Sequence, residues 1–206
     1  MRKLTERLFQ KADFYTKQGK YQKAVACYEL ILADEKDDFI RELAFWGAGE
    51  CYLNLNLFED AERYLRKAIE LNPENANYHC LLGATLTKRE RFEEAIFEFE
   101  EASRLAPNNP EILRNLGWAI FMKGDIDRGR ALIERSLELD PENVLALCDL
   151  AVVLMRGLQY QKAERLLKKA QKIEPNNPFV EKTLAACEFF RRKFEQVLEK
   201  GKRPKS

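Results

Sequence analysis

The side chains in this sequence that could do chemistry are few and scattered. His79 is the only histidine in 206 residues, so no metal site can recruit a second imidazole. It falls in a helical pattern near the packing side, a structural position that leaves no His as base beside a Cys or Ser. The five cysteines, Cys27, Cys51, Cys80, Cys148 and Cys187, are odd in number, far apart and never in a CxxC pair. That pattern fits reduced thiols used as small packing residues, not a disulfide frame or zinc site. Glutamates such as Glu93, Glu94, Glu100 and Glu101 are plentiful, but they stand among Arg and Lys on helix faces and read as solvated surface. No nucleophile elbow, Gly-rich phosphate loop or metal-ligand spacing is present. The expectation is therefore a protein that is not an enzyme and has no cofactor, no metal and no small-molecule substrate.

The elements that carry these residues follow from composition and periodicity. With 46% hydrophobic and 33% charged residues, 9 Gly and 7 Pro, the chain has enough apolar material for a core and reads as largely helical. A formal net charge of +1 provides no field to recruit phosphates, so nucleic acid is not an expected partner. Residues Met1 to Lys11 interleave Arg2, Lys3, Glu6, Arg7 and Lys11 with isolated apolar residues, unlike a secretory signal. No uncharged run approaches the roughly 20 residues of a membrane span, and the expected location is cytoplasmic.

Laid against itself, the sequence repeats every 34 residues. Gly49, Gly83, Gly117 and Ala151 share that interval, as do Pro73, Pro107, Pro141 and Pro175. Two more series keep the register: Ala61, Ala95, Gly129, Ala163 and Ala68, Ala102, Ser136, Ala170. Small residues at a helix contact let two antiparallel helices approach closely, and proline stops the second helix. Asn75, Asn109, Asn143 and Asn177 recur ahead of each first helix as caps, and Pro110 and Pro178 follow two of them at the first helical position.

This period, with a small residue, an aromatic or aliphatic three later, an alanine, a large apolar four after it and a proline, resembles the tetratricopeptide repeat. Ala48, Gly49, Tyr52, Ala61, Leu65, Ala68 and Pro73 carry it best, and Leu82, Gly83, Leu86, Ala95, Phe99, Ala102 and Pro107 repeat it. The resemblance implies an all-α, right-handed superhelical solenoid of antiparallel helix pairs. It would be one domain over residues 1–199, with repeats at 5–38, 42–75, 76–109, 110–143 and 144–177. A capping helix or degenerate sixth repeat would cover 178–199, and residues 200–206 would form a basic, disordered tail. The ends depart from the pattern: Lys11 replaces Ala48 or Leu82, Glu188 replaces Tyr52 or Leu86, and three extra residues near Phe39 to Arg41 lengthen the entry to the second repeat.

The resemblance also implies a partner. Such folds bind extended peptides or helices in an inner groove lined by the first helix of each repeat. Here that groove would hold Phe9, Trp46, Glu50, Leu53, Leu81, Arg114, Trp118, Phe121, Met122, Val152, Met155 and Phe189. Cys80, Cys148 and Lys182 share the stripe, with Leu145 and Phe179 flanking it. Trp46, Trp118, Phe121 and Met155 would anchor apolar side chains of a ligand, or several of these residues, Leu53 and Phe121 especially, would pack between neighbouring repeats. The carboxylate clamp of some family members needs converging Lys, Asn and Arg. The matching positions hold Phe9, Asp13, Gly47, Asn77 and Leu81, which excludes that mode. The expected function is an adaptor that binds a protein or peptide in an apolar groove. A self-assembling scaffold, or a chaperone for a secreted or hydrophobic substrate, is the alternative.

Overall fold

A computed structural model of the chain describes residues 3–202, with side chains described through 199. Among the described residues there are eleven α-helices and no strand: α1 (Lys3–Lys17), α2 (Tyr21–Asp34), α3 (Asp38–Asn54), α4 (Phe58–Leu71), α5 (Ala76–Lys88), α6 (Phe92–Leu105), α7 (Pro110–Lys123), α8 (Ile126–Leu139), α9 (Val144–Arg156), α10 (Tyr160–Ile173) and α11 (Pro178–Lys202). The chain divides into two compact units between Pro107 and Asn108. The first unit stacks α1 to α6 as successive neighbours, with α3 also touching α5. The second stacks α7 to α11 likewise, with α7 touching α9 and α9 touching α11.

The helices begin and end where the repeat signals stand. Asn75 accepts from the Asn77 amide, Asn109 from Glu111 and Ile112, Asn143 from Ala146, and Asn177 from Phe179 and Val180. Asp37 takes the same role ahead of α3. Each exit proline lies in the loop after a second helix. The turns within the pairs need a left-handed residue: Gly19, Asn56, Glu90, Gly124 and Leu158 all have positive φ.

Within each unit the small-residue series forms the floor of the core. In the first, Ala12, Ala24, Ala48, Ala61, Ala68, Ala95 and Ala102 are completely buried; in the second, Ala151, Ala163, Ala170 and Ser136 are. Ser136 keeps its hydroxyl satisfied by donating to the Pro110 carbonyl at 2.7 Å, which lets a polar residue stand in an alanine series. Gly117 and Gly129 face each other across α7 and α8. A Cβ on Gly117 would sit 2.8 Å from the Gly129 carbonyl oxygen.

Two boundaries differ from the repeat pattern. The three extra residues near Phe39 lie inside α3, which runs 17 residues against 13 or 14 in α5, α7 and α9. At the other end α11 is one unbroken helix of 25 residues. Arg192 occupies the register of Asn56, Glu90, Gly124 and Leu158 but stays helical, so no second helix folds back. The helix includes residues 200–202 of the expected tail; residues 203–206 lie outside the described residues.

Candidate partner-binding faces

The first helices carry the expected stripe in each unit, and burial sorts its members. In the first unit Phe9, Trp46, Glu50, Leu53 and Leu81 are half-buried, while Cys80 is buried and unavailable to a ligand. The Phe9 ring meets Tyr28 edge-on at 6.0 Å, and Trp46 lies 6.1 Å from the Tyr78 ring. The Trp46 indole Nε1 is buried with no hydrogen-bond partner among the described residues. Trp46 also packs against the cluster of Phe45, Ala68 and Tyr78, so much of its ring is core. Burial raises the Glu50 carboxyl above its ordinary pKa.

In the second unit Arg114, Trp118, Val152 and Met155 are half-buried, and Met122 and Phe189 are exposed. Of the two roles expected for Phe121, burial corrects the groove anchor and leaves the packing one: it is only 3% exposed and belongs to the core around Leu147, Leu150 and Leu154. Its position faces the neighbouring pair, and its ring supports Trp118 at 5.4 Å. Cys148 is buried as well. Arg114 donates to Asp149 Oδ2 at 2.8 Å and to Asn115 Oδ1 at 2.6 Å, which neutralises its charge within the unit. Burial pushes the Asp149 carboxyl above its usual range, against the pull of Arg114. The open apolar side chains of this face are Met122, Leu145, Phe179 and Phe189, which are 44%, 48%, 46% and 52% exposed.

The sequence reading missed a set of buried acids that tie one repeat to the next. Glu62 on α4 accepts from Arg66 at 2.8 Å, from Arg91 at 2.6 Å and from Arg89. Burial raises the Glu62 carboxyl, but these guanidiniums, led by the Arg66 hydrogen bond, hold it below the ordinary value. Glu42 accepts from Tyr78 Oη at 2.7 Å and Asn72 Nδ2 at 2.8 Å. His79 has Nδ1 2.7 Å from Glu98 Oε2 and Nε2 3.0 Å from the Pro73 carbonyl oxygen, a structural bridge. A readable signal existed for the first of these. Glu164 stands 102 residues, or three periods, after Glu62, and pairs with Lys168 at 2.6 Å and Arg191 at 3.3 Å. In both cases a cation follows at four residues and an arginine at twenty-seven.

Comparison with known proteins agrees with this architecture. The family model of the cilia and flagella-associated protein 70 C-terminal domain matches residues 4–194. The chain is 25% identical over 184 residues to the DnaJ homolog subfamily C member 3 homolog of Dictyostelium discoideum, covering 81% of this chain and 36% of that protein. It thus spans about a third of that relative's length. Among solved structures it is similar to TTC0263, a thermophilic TPR protein in Thermus thermophilus, with a TM-score of 0.75, 17% identity and coverage of 90% of this chain and 99% of that one. It is also similar to YrrB, described as a TPR protein with an unusual peptide-binding site, with a TM-score of 0.61, 24% identity and coverage of 82% and 86%.

Proposed function

This chain belongs to the family of the cilia and flagella-associated protein 70 C-terminal domain, a tetratricopeptide-repeat family, and we propose that it is a scaffold that binds another polypeptide through the first-helix face of its second unit. The observation that carries the reading is the open apolar row of Met122, Leu145, Phe179 and Phe189 beside half-buried Trp118, Val152 and Met155. Exposed apolar residues gathered on one face mark interaction sites, and half-buried aromatics beside them supply the rigid anchors that dominate binding energy. The peptide-binding site named for YrrB supports the same use of the fold. In the first unit, Phe9, Trp46, Glu50, Leu53 and Leu81 offer less open surface and act mainly in packing. The role is binding, without catalysis. No helix among the described residues is long and apolar enough to cross a membrane. Five buried cysteines, none in a disulfide, suit a reducing compartment such as the cytoplasm.

The test is affinity capture from host extract on the whole chain and on the Leu145→Ser, Phe189→Ser double variant. Both side chains are about half exposed, so the variant keeps its helicity and melting temperature. Proteins retained by the parent and lost on the variant support the reading; equal retention on both refutes it.

A further inference from the structure

The charge on the two units is opposed. Residues 1–107 hold 16 Lys and Arg against 20 Asp and Glu, whereas residues 108–206 hold 19 against 14. On the first-helix face of the second unit the excess appears as cations without acidic partners. Lys182, Ala186, Phe189 and Lys193 fall at intervals of four, three and four along α11 and so share one stripe. Arg156, in the register of Met122, flanks the matching stripe of Cys148, Val152 and Met155 on α9, which touches α11. All three cations are exposed, and among the described residues none has a carboxylate within ion-pair distance. Two lie over aromatic rings instead: Lys193 Nζ is 4.7 Å from the Phe189 centroid, and the Arg156 guanidinium is 5.6 Å from that of Phe121.

The acids nearby do not cancel this charge. Asp149 is buried and committed to Arg114. Glu111, at the start of α7, is the one exposed carboxylate in the stripe, while Glu181, Glu188 and Glu195 point off the α11 stripe by helical periodicity. On the second helices, by contrast, Arg130, Arg135 and Lys168 are each paired with a glutamate. The stripe of the first unit has the opposite character, with Asp13 and Glu50 on it.

Resting on the reading of this face as a binding site, we infer that its occupant is an acidic polypeptide segment in which Asp or Glu flank bulky apolar side chains. The apolar side chains would lie on Leu145, Val152, Met155, Phe179 and Phe189, and the carboxylates would reach Arg156, Lys182 and Lys193. Lys182 and Lys193 are eleven residues apart, roughly 16 Å along the helix, so the acids sit on both sides of the apolar contact. Opposite charge at such a rim sets the choice of partner and speeds encounter.

A random peptide library displayed on phage, selected on the whole chain, tests this. Selected peptides should be enriched in Asp and Glu beside Leu, Phe or Trp, and should bind the Lys182→Glu, Lys193→Glu variant about tenfold more weakly or worse. Their affinity should fall as salt rises. The Arg165→Glu, Lys172→Glu variant on α10 makes the same change in net charge away from the face and should bind like the parent. Equal losses in both variants would reduce the effect to net charge and overturn the inference. Neutral or basic peptides that need Leu145 and Phe189 would overturn the acidic partner while sparing the binding face. Selection that yields only peptides indifferent to Leu145→Ser, Phe189→Ser, or none, would overturn the face itself. Self-association of the chain, lost in the Lys182→Glu, Lys193→Glu variant, would place the acidic segment in a second copy.

Discussion

Glu90 and Leu158 each hold φ at +58°, a region where a side chain crowds the following carbonyl. Gly124 makes the same turn without a Cβ. Glu90 is exposed, so Glu90→Gly relieves the crowding and loses little contact. The expected result is a gain of up to ~1 kcal/mol, offset in part by the freer unfolded chain, read as a higher melting temperature. Gly117 poses the reverse case, because a Cβ there meets a backbone carbonyl that cannot swing aside. Gly117→Ala should lose ~1–3 kcal/mol although alanine favours helix. Gly157, with nothing nearer than 3.5 Å, should accept alanine at no loss. Equal melting temperatures for those two variants would contradict the assigned contact. Glu62 provides a pH signature. Its carboxyl is held below the ordinary 4.5, so its stabilisation is present above that value and is lost as pH falls through the lower folded value. Glu62→Gln should therefore cost on the order of 1–2 kcal/mol at pH 7. The gap to the parent should close in acid, as chemical denaturation at several pH values would measure.

At the scale of elements, the caps, exit prolines and small residues were legible because each marks a backbone requirement that recurs every 34 residues. The fate of the last repeat was harder to read. Leu184 and Phe194 keep their register, and Lys88 to Arg91 turn at Glu90 without any Gly or Asn, so the absence of both from Phe190 to Lys193 does not announce that α11 runs on. The chain stays helical, and Phe194 instead packs on Tyr160 at 5.6 Å beside the Glu164 and Arg191 pair. Phe194→Ala should loosen the distal half of α11. Hydrogen exchange of amides after residue 191 should speed up by about tenfold, with α7 to α9 unchanged. Uniform acceleration across the second unit would show that the packing of α11 supports the whole core. How open Met122 and Phe189 stand beside half-buried Trp118 and Met155 was hidden for a different reason. Helical period places a residue on a stripe, but the depth of that stripe depends on how close the neighbouring first helix lies.

At the scale of the whole molecule, repetition specified the helix pairs but not where the chain divides into its two units, since nothing in the 34-residue register distinguishes the step at Pro107 from the others. It also hid the difference between the stripes. Every repeat has the same framework, while residues such as Asp13, Glu50, Arg156 and Lys182 occupy positions the framework leaves free. Those free positions carry the binding reading, and placing a photo-reactive benzoylphenylalanine at Phe189 tests it most directly. Illuminated in host extract, the whole chain labelled at Phe189 should give a discrete cross-linked protein that is absent when the label replaces Lys172 on α10. No discrete product at Phe189, or the same product from both positions, would contradict the assignment of this face as the binding site.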